Sequence, residues 1–280
     1  MKVEFSLAQD MSSMKADNLT LWDNKRYAFQ IKFDGARHLL IKDSCGWSLT
    51  SRCSGADVKA KYPHLWLDID RLPNGVYDGE IIAPTKAQPL GDLYFLNSTA
   101  GKPEVRFIIF DVLAFRGMDT THDSYEERYQ LLKDEIEAKQ TEGSRVVAVC
   151  NYSLADALAI CQANNGEGII IRDNKAQYIK GRSRAIMKWK RKKEETFSVF
   201  EIDVSKSRAV LELLDSEGKY AGRVCVCASE HEQALKPYFK EPLRLAINGK
   251  IQATFKAEVQ YEQRCANGLR TPVLKRLVMI

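Results

Sequence analysis

The chain has 280 residues, 45% of them hydrophobic, and a formal net charge of +5, so it can bury a sizeable core, divide into two domains and fold unaided. No apolar run approaches the roughly 18 to 20 residues that span a bilayer, and the opening MKVEFSLAQDMSS lacks the apolar stretch of a secretory signal, which argues against membrane or export classes and points to the cytoplasm. The seven cysteines are odd in number and form no CxxC pair, which suits a reducing compartment and argues against a disulfide framework or a zinc site.

In chain order, the first strong element is YAFQIKF. Its alternation predicts a strand with Phe29, Ile31 and Phe33 on a buried face and Gln30, Lys32 and Asp34 on the other, followed by a turn at Asp34-Gly35. ARHLLIKD then continues as a second strand. GVYDGEIIA, RFIIFDVLA and EGIIIRD are further β-branched runs, and the five together predict a mixed or antiparallel sheet core. Two helices are signalled by their starts: Ser124 with Glu127 before ERYQLLKDEIEAK, and Ser153 with Asp156 before ALAICQANN. Asn165-Gly166 stops the second helix, so Glu167 enters the following strand at its mouth.

The cations bunch in GRSRAIMKWKRKK. Such a run favours a polyanion, although it also suits a plain solvated face. Beyond KWKRKKEET the texture changes to strand-like segments separated by Gly, Ser, Asp and Pro, with one short helix around HEQALKPYF. This places a boundary near Glu194, with a first domain over 1–193 and a second over 194–280. The second has the rhythm of a small barrel such as the oligonucleotide-binding (OB) fold. Cys225 and Cys227 would share one strand face and read as small buried apolar residues without a role. The fold class expected is α+β.

The chemistry rests on polar residues at strand ends. A strand-borne lysine such as Lys32 is a nucleophile once its amine is neutral, and Asp34 on the same face can position that amine or a magnesium ion. Arg52, ending the next strand, can grip a ribose or phosphate oxygen. Glu80 in Asp78-Gly79-Glu80 can hold a ribose hydroxyl or a hydrated magnesium, and Glu167 is a second strand-mouth carboxylate. Phe110 offers a flat face to a base, while Lys188 and Lys190 in MKWK project together as two cations. Singly, each has a plain structural reading as salt bridge, core aromatic or surface charge. Together they supply nucleophile, base platform, ribose contacts, metal carboxylates and phosphate-neutralising cations, the requirements of adenylyl transfer.

The ordered set IKFDGAR, SR, DGEI, FIIFDVL, GEGIIIR and MKWK resembles motifs I, Ia, III, IIIa, IV and V of the covalent nucleotidyltransferases, specifically the ATP-dependent DNA ligases, and LRTPVLKRL resembles the closing segment of their barrel domains. The resemblance implies a nucleotidyltransferase (ATP-grasp-like) domain of mixed antiparallel sheets with helices, followed by an OB-fold domain, in a minimal ligase of viral or bacterial type. It implies ATP and Mg2+ as cofactors and nicked duplex DNA as partner, with the protein a monomer.

By position, the resemblance makes Lys32 the residue that takes AMP in a phosphoramide bond. Gln30 and Ile31 fall beside the adenine, Phe110 stacks on it, Arg52 and Glu80 meet the ribose and its surroundings, and Lys188 and Lys190 neutralise the α-phosphate. Asp34, Glu80 and Glu167 are the implied metal carboxylates. Arg37 would lie near ribose and nick phosphate, and Arg182, Arg184, Arg191 and Lys192 would hold DNA. One departure is that the usual Arg-x-Asp-Lys element of the last motif is replaced by Lys275-Arg276 running into LVMI, which leaves Arg270, Lys275 or Arg276 as substitutes for pyrophosphate contacts. An RNA ligase or capping guanylyltransferase shares the lysine motif, and a non-catalytic OB protein that binds nucleic acid is the rival outside the enzymes.

Overall fold

The structure, a computed structural model, describes residues 4–14, 19, 22, 25–86, 88–98, 105–204, 208–239, 245–246, 249–265 and 268–278. The chain divides into two compact units, Met1–Lys190 and Arg191–Ile280. In the first, the elements run β1 (Ser6–Asp10), β2 (Tyr27–Lys32), β3 (Ala36–Asp43), β4 (Gly46–Ser51), α1 (Trp66–Arg71), β5 (Gly75–Ile82), α2 (Leu93–Ser98), β6 (Arg106–Phe115), β7 (Met118–Asp119), α3 (Tyr125–Glu135), β8 (Val146–Ala148), α4 (Leu154–Ala163), β9 (Gly168–Asp173) and β10 (Gly181–Lys190).

These strands form two sheets. One has the order β1-β10-β9-β2, and the other β4-β3-β5-β6-β7 with β8 added to β6. The single sheet core read from the sequence therefore separates at Asp34-Gly35: β2 pairs with β9 in one sheet, and β3 pairs with β4 and β5 in the other. The link is a crossing, not a hairpin. A Cβ on Gly35 would lie 2.2 Å from the Ile81 carbonyl oxygen of β5, so glycine is needed there for close approach of two backbones.

Each sheet closes its own core. Phe29 and Ile31 of β2 pack with Ile169 and Ile171 of β9, Trp189 of β10, and Leu154 and Ala157 of α4. Leu40, Leu49, Tyr77, Ile81, Phe107 and Ile109 of the second sheet pack with Leu132 of α3. Burying each such side chain contributes about 1.5–3 kcal/mol. The helix starts are those the sequence marks: Ser124 and Glu127 complete a reciprocal capping box on α3, and the Ser153 side chain accepts from the Asp156 backbone N–H on α4. Asn165, with φ 53°, ends α4 in the left-handed conformation.

The second unit holds β11 (Lys193–Asp203), β12 (Val210–Leu214), β13 (Tyr220–Cys225), α5 (Ser229–Phe239), β14 (Leu245–Ala246), β15 (Lys250–Tyr261), β16 (Gln263–Cys265), β17 (Gly268–Arg270) and β18 (Val273–Val278). Its main sheet is antiparallel, in the order β13-β12-β11-β15-β14 with β18 also on β15, and β16 pairs with β17. Ile251, Ala253, Phe255, Ala257, Val259 and Tyr261 alternate into one core along β15, against Phe197 and Val199 of β11 and Leu211 and Leu213 of β12. Cys225 and Cys227 are exposed, which corrects the expectation of buried thiols: the face they share points away from this core. Among the described residues, no helix is long and apolar enough to cross a membrane.

Candidate active site

Lys32 is the last residue of β2 and pairs in register with Gly168 of β9, while Lys190, the last residue of β10, pairs with the same glycine from the other side. A Cβ at Gly168 would lie 2.1 Å from the Trp189 carbonyl oxygen, and its φ is 155°. Only glycine allows the three strand ends to close to this distance. Glu167, immediately before it, then projects between two lysines. Its Oε2 accepts from Lys32 Nζ at 2.5 Å and its Oε1 lies 3.2 Å from Lys190 Nζ, with the carboxylate buried and both lysines partly exposed. The β alternation brings Lys188 to the face of Lys190. Its Nζ lies 3.4 Å from Asp10 Oδ2 on β1. Partial burial pushes the Asp10 carboxyl up, but hydrogen bonds with Ser12 and the charge of Lys188 prevail and hold it below its ordinary range.

Across the Asp34-Gly35 crossing, the second sheet contributes Glu80 on β5, opposite Arg37 of β3, and Arg52 just past β4, whose backbone N–H donates to the Arg37 carbonyl. Burial raises the Glu80 carboxyl to about 7, against the opposing pull of Lys32, Arg37 and Arg52. Phe110 sits where the β5–β6 register shifts: Asp78 faces Asp111 and Gly79 faces Ile109, leaving Phe110 unmatched. This bulge turns a half-buried ring out of the regular ladder. The guanidiniums of Arg37 and Arg172 lie 5.3 and 5.0 Å from its centroid.

Several expected roles meet a different geometry. Arg37 is committed inside the fold, with Nε and Nη2 on the two Asp78 carboxylate oxygens at 2.8 and 2.5 Å and Nη1 on the Ser6 carbonyl at 2.5 Å. Burial opposes its charge, but Asp78 more than compensates and holds it firmly protonated. Gln30 is buried too, with a fixed amide: Nε2 donates to Tyr125 OH and Asn151 Oδ1, and Oε1 accepts from Arg172 Nε. Arg172 in turn donates to Asp111, which also accepts from Arg128.

The Ile31 side chain belongs to the apolar core beside Phe29 and Trp189, which leaves only its backbone for any contact with a nucleotide. The Asp34 carboxylate accepts from the backbone N–H of Leu93 at the start of α2. Among the described residues, no group of three or more His, Cys, Asp or Glu is placed to share a metal ion, so Asp34, Glu80 and Glu167 do not form a common carboxylate cage.

Arg182 and Arg184 lie exposed at alternate positions of β10, whereas Arg191 and Lys192 stand at the start of the second unit. Asp10, Asp78, Asp111 and Arg172 are the supporting residues that the sequence reading did not single out for this site. Only Asp78, written beside Glu80 in DGEI, carried a local hint. The assembled group can bind a polyanion with Lys32, Lys188, Lys190 and Arg52, and can present an amine beside a carboxylate and an aromatic face.

The family pattern described as the ATP dependent DNA ligase domain matches residues 6–190. Among solved structures, the ligase domain of LigD from M. tuberculosis is 23% identical, with 98% of this chain and 93% of that chain covered and a TM-score of 0.58. A mycobacterial DNA ligase D complexed with ATP and MES is 22% identical over 98% of this chain and 93% of that one, with a TM-score of 0.58. A Lig E DNA ligase described as binding DNA with a minimal scaffold is 18% identical over 99% of this chain and 100% of that one, with a TM-score of 0.67. At these identities the likeness is one of fold. Comparison with curated protein sequences finds no match.

Proposed function

The chain belongs to the ATP-dependent DNA ligases, and on that premise we propose that it seals nicks in duplex DNA through an AMP adduct on Lys32. The observation that carries this reading is the meeting of Lys32, Glu167 and Lys190 about one glycine position where β2, β9 and β10 come together. Lys32 must leave Glu167 and lose a proton before its nitrogen can attack the α-phosphorus of ATP. The N–P bond then forms as the P–O bond to pyrophosphate breaks. The AMP passes to a DNA 5′-phosphate, and the neighbouring 3′-hydroxyl displaces it to close the nick.

Negative charge accumulates at phosphorus in each step, and Lys188 and Lys190 would neutralise it. Glu80 and Glu167 would hold magnesium, which keeps several waters and commonly takes one or two carboxylates beside substrate phosphates. When bound, the ion supplies charge neutralisation at those phosphates. Phe110, turned out by its bulge, would stack on the adenine, and Arg52 with Glu80 would contact the ribose. Gln30 acts through the Tyr125–Asn151–Arg172 network as a support beneath the base.

The second unit is read as an OB-type barrel, supported by its antiparallel sheet and single described helix, with the domain boundary placed between residues 193 and 194. Nicked duplex would be held through its phosphates by Arg182, Arg184, Arg191 and Lys192, by a monomer acting in the cytoplasm. The test is adenylylation with labelled ATP. Wild-type protein should give a covalent labelled band that is chased by nicked duplex, and Lys32→Ala should give none while still binding nicked DNA. A fully labelled Lys32→Ala protein rejects the assignment.

A further inference from the structure

We propose that residues 10–14 form a clamp that presets Lys188 and Lys190 for the phosphates of ATP, with Asp10 and Ser12 as its positioning residues. The inference rests on the adenylyl-transfer reading of this site and adds the device that aims its cations. Three successive residues at the end of β10 are each tied to this short segment. Lys188 is held twice: its carbonyl accepts from the Met11 backbone N–H at 2.8 Å, and its Nζ lies 3.4 Å from Asp10 Oδ2. Trp189 Nε1 donates to the Met14 carbonyl at 2.8 Å, and the Lys190 backbone N–H donates to Ser12 Oγ at 3.2 Å.

The segment is itself braced. The Ser12 backbone N–H donates to Asp10 Oδ1 at 2.8 Å and that of Met14 to the Met11 carbonyl at 2.9 Å, so the carboxylate facing Lys188 is fixed by its own turn. Met11 and Met14 pack against the core that holds Trp189. The register of β1 on β10 breaks just before this point, with Ala8 opposite Ser183 but Gln9 opposite Met187. A continuous register would set Asp10 against Ala185. The break instead delivers it to Lys188.

An ion pair as open to solvent as Asp10 with Lys188 contributes little to stability, so its use lies in orientation. An ammonium carries three donors, which lets Lys188 keep Asp10 while donating to a phosphate oxygen. A cation aimed beforehand needs no reorganisation as charge develops at phosphorus.

The test is single-turnover labelling of the full chain by saturating labelled ATP. Asp10→Asn keeps an acceptor for the Ser12 N–H but removes the charge facing Lys188, and should slow adduct formation roughly three- to tenfold while the half-saturating ATP concentration moves less than about twofold. In a Lys188→Met background the same substitution should change the residual rate less than about twofold. Ser12→Ala should slow labelling and speed amide hydrogen exchange at Lys190, and Ser12→Thr should restore both. An unchanged rate in Asp10→Asn, equal slowing in both backgrounds, or unaltered exchange at Lys190 in Ser12→Ala overturns the clamp with the Lys32 adduct still standing. Absence of labelling in the wild type is a different result: it removes the Lys32 assignment, and the clamp with it.

Discussion

At Glu80, burial lifts the carboxyl from 4.5 to about 7 although three cations oppose the shift. A carboxyl whose folded pKa is raised keeps its proton longer in the folded than in the unfolded chain, so its favourable contribution is fully present below the unfolded value and is lost as pH rises through the folded one. The difference in unfolding free energy between wild type and Glu80→Gln should therefore fall between about pH 4.5 and 7, as measured by urea denaturation across that window. A difference that stays flat removes Glu80 as the buried acid. In adenylylation, wild type should show an acid limb near pH 7 that Glu80→Gln lacks. Residues of this kind are half legible in the sequence: DGEI marks Glu80 as interesting, but nothing local marks its burial. Arg37 shows the same limit more sharply. Its partner Asp78 lies 41 residues away, and with no periodicity to reveal the pair, the guanidinium reads as an outward phosphate ligand when it is an internal strut.

At the scale of elements, the approach of β2, β9 and β10 depends on Gly168. Gly168→Ala would force a Cβ against the Trp189 carbonyl at 2.1 Å and should destabilise the protein by about 2–4 kcal/mol. It should also reduce adduct yield at temperatures where the variant remains folded, because Lys32 and Lys190 could no longer both reach Glu167. Thermal unfolding and a single-turnover labelling assay measure the two effects, and full labelling by a folded variant would show that the three-strand convergence is dispensable. The helix starts at Ser124 and Ser153 were legible because a cap is written in four adjacent residues. The strands were legible as strands from their alternation, yet their partition was not. Which sheet a strand joins is decided by pairings such as Gln30 with Ile170, which leave no trace in the local pattern. The Phe110 bulge was hidden for the same reason, since a bulge exists only relative to a partner strand.

For the whole molecule, the net charge of +5 and the cations of β10 and the following segment would make the proposed binding to duplex DNA an electrostatic event. Removing one cation that neutralises a phosphate should reduce the slope of log K against log salt by about 0.9. Replacing Arg182, Arg184, Arg191 and Lys192 with alanine should lower it by roughly 3 to 4, measured by anisotropy with nicked duplex at several salt concentrations. An unchanged slope would assign DNA binding to other surfaces. The α+β class and the order of the site residues were legible because they follow the chain, whereas the seam they share was not, because it joins two separately packed sheets. That seam has a thermodynamic corollary. With Lys32 on one hydrophobic block and Glu80 with Phe110 on the other, any nucleotide long enough to touch all three acts as a stitch, so saturating ATP should shift the melting of the first unit upward and sharpen it toward a single cooperative event.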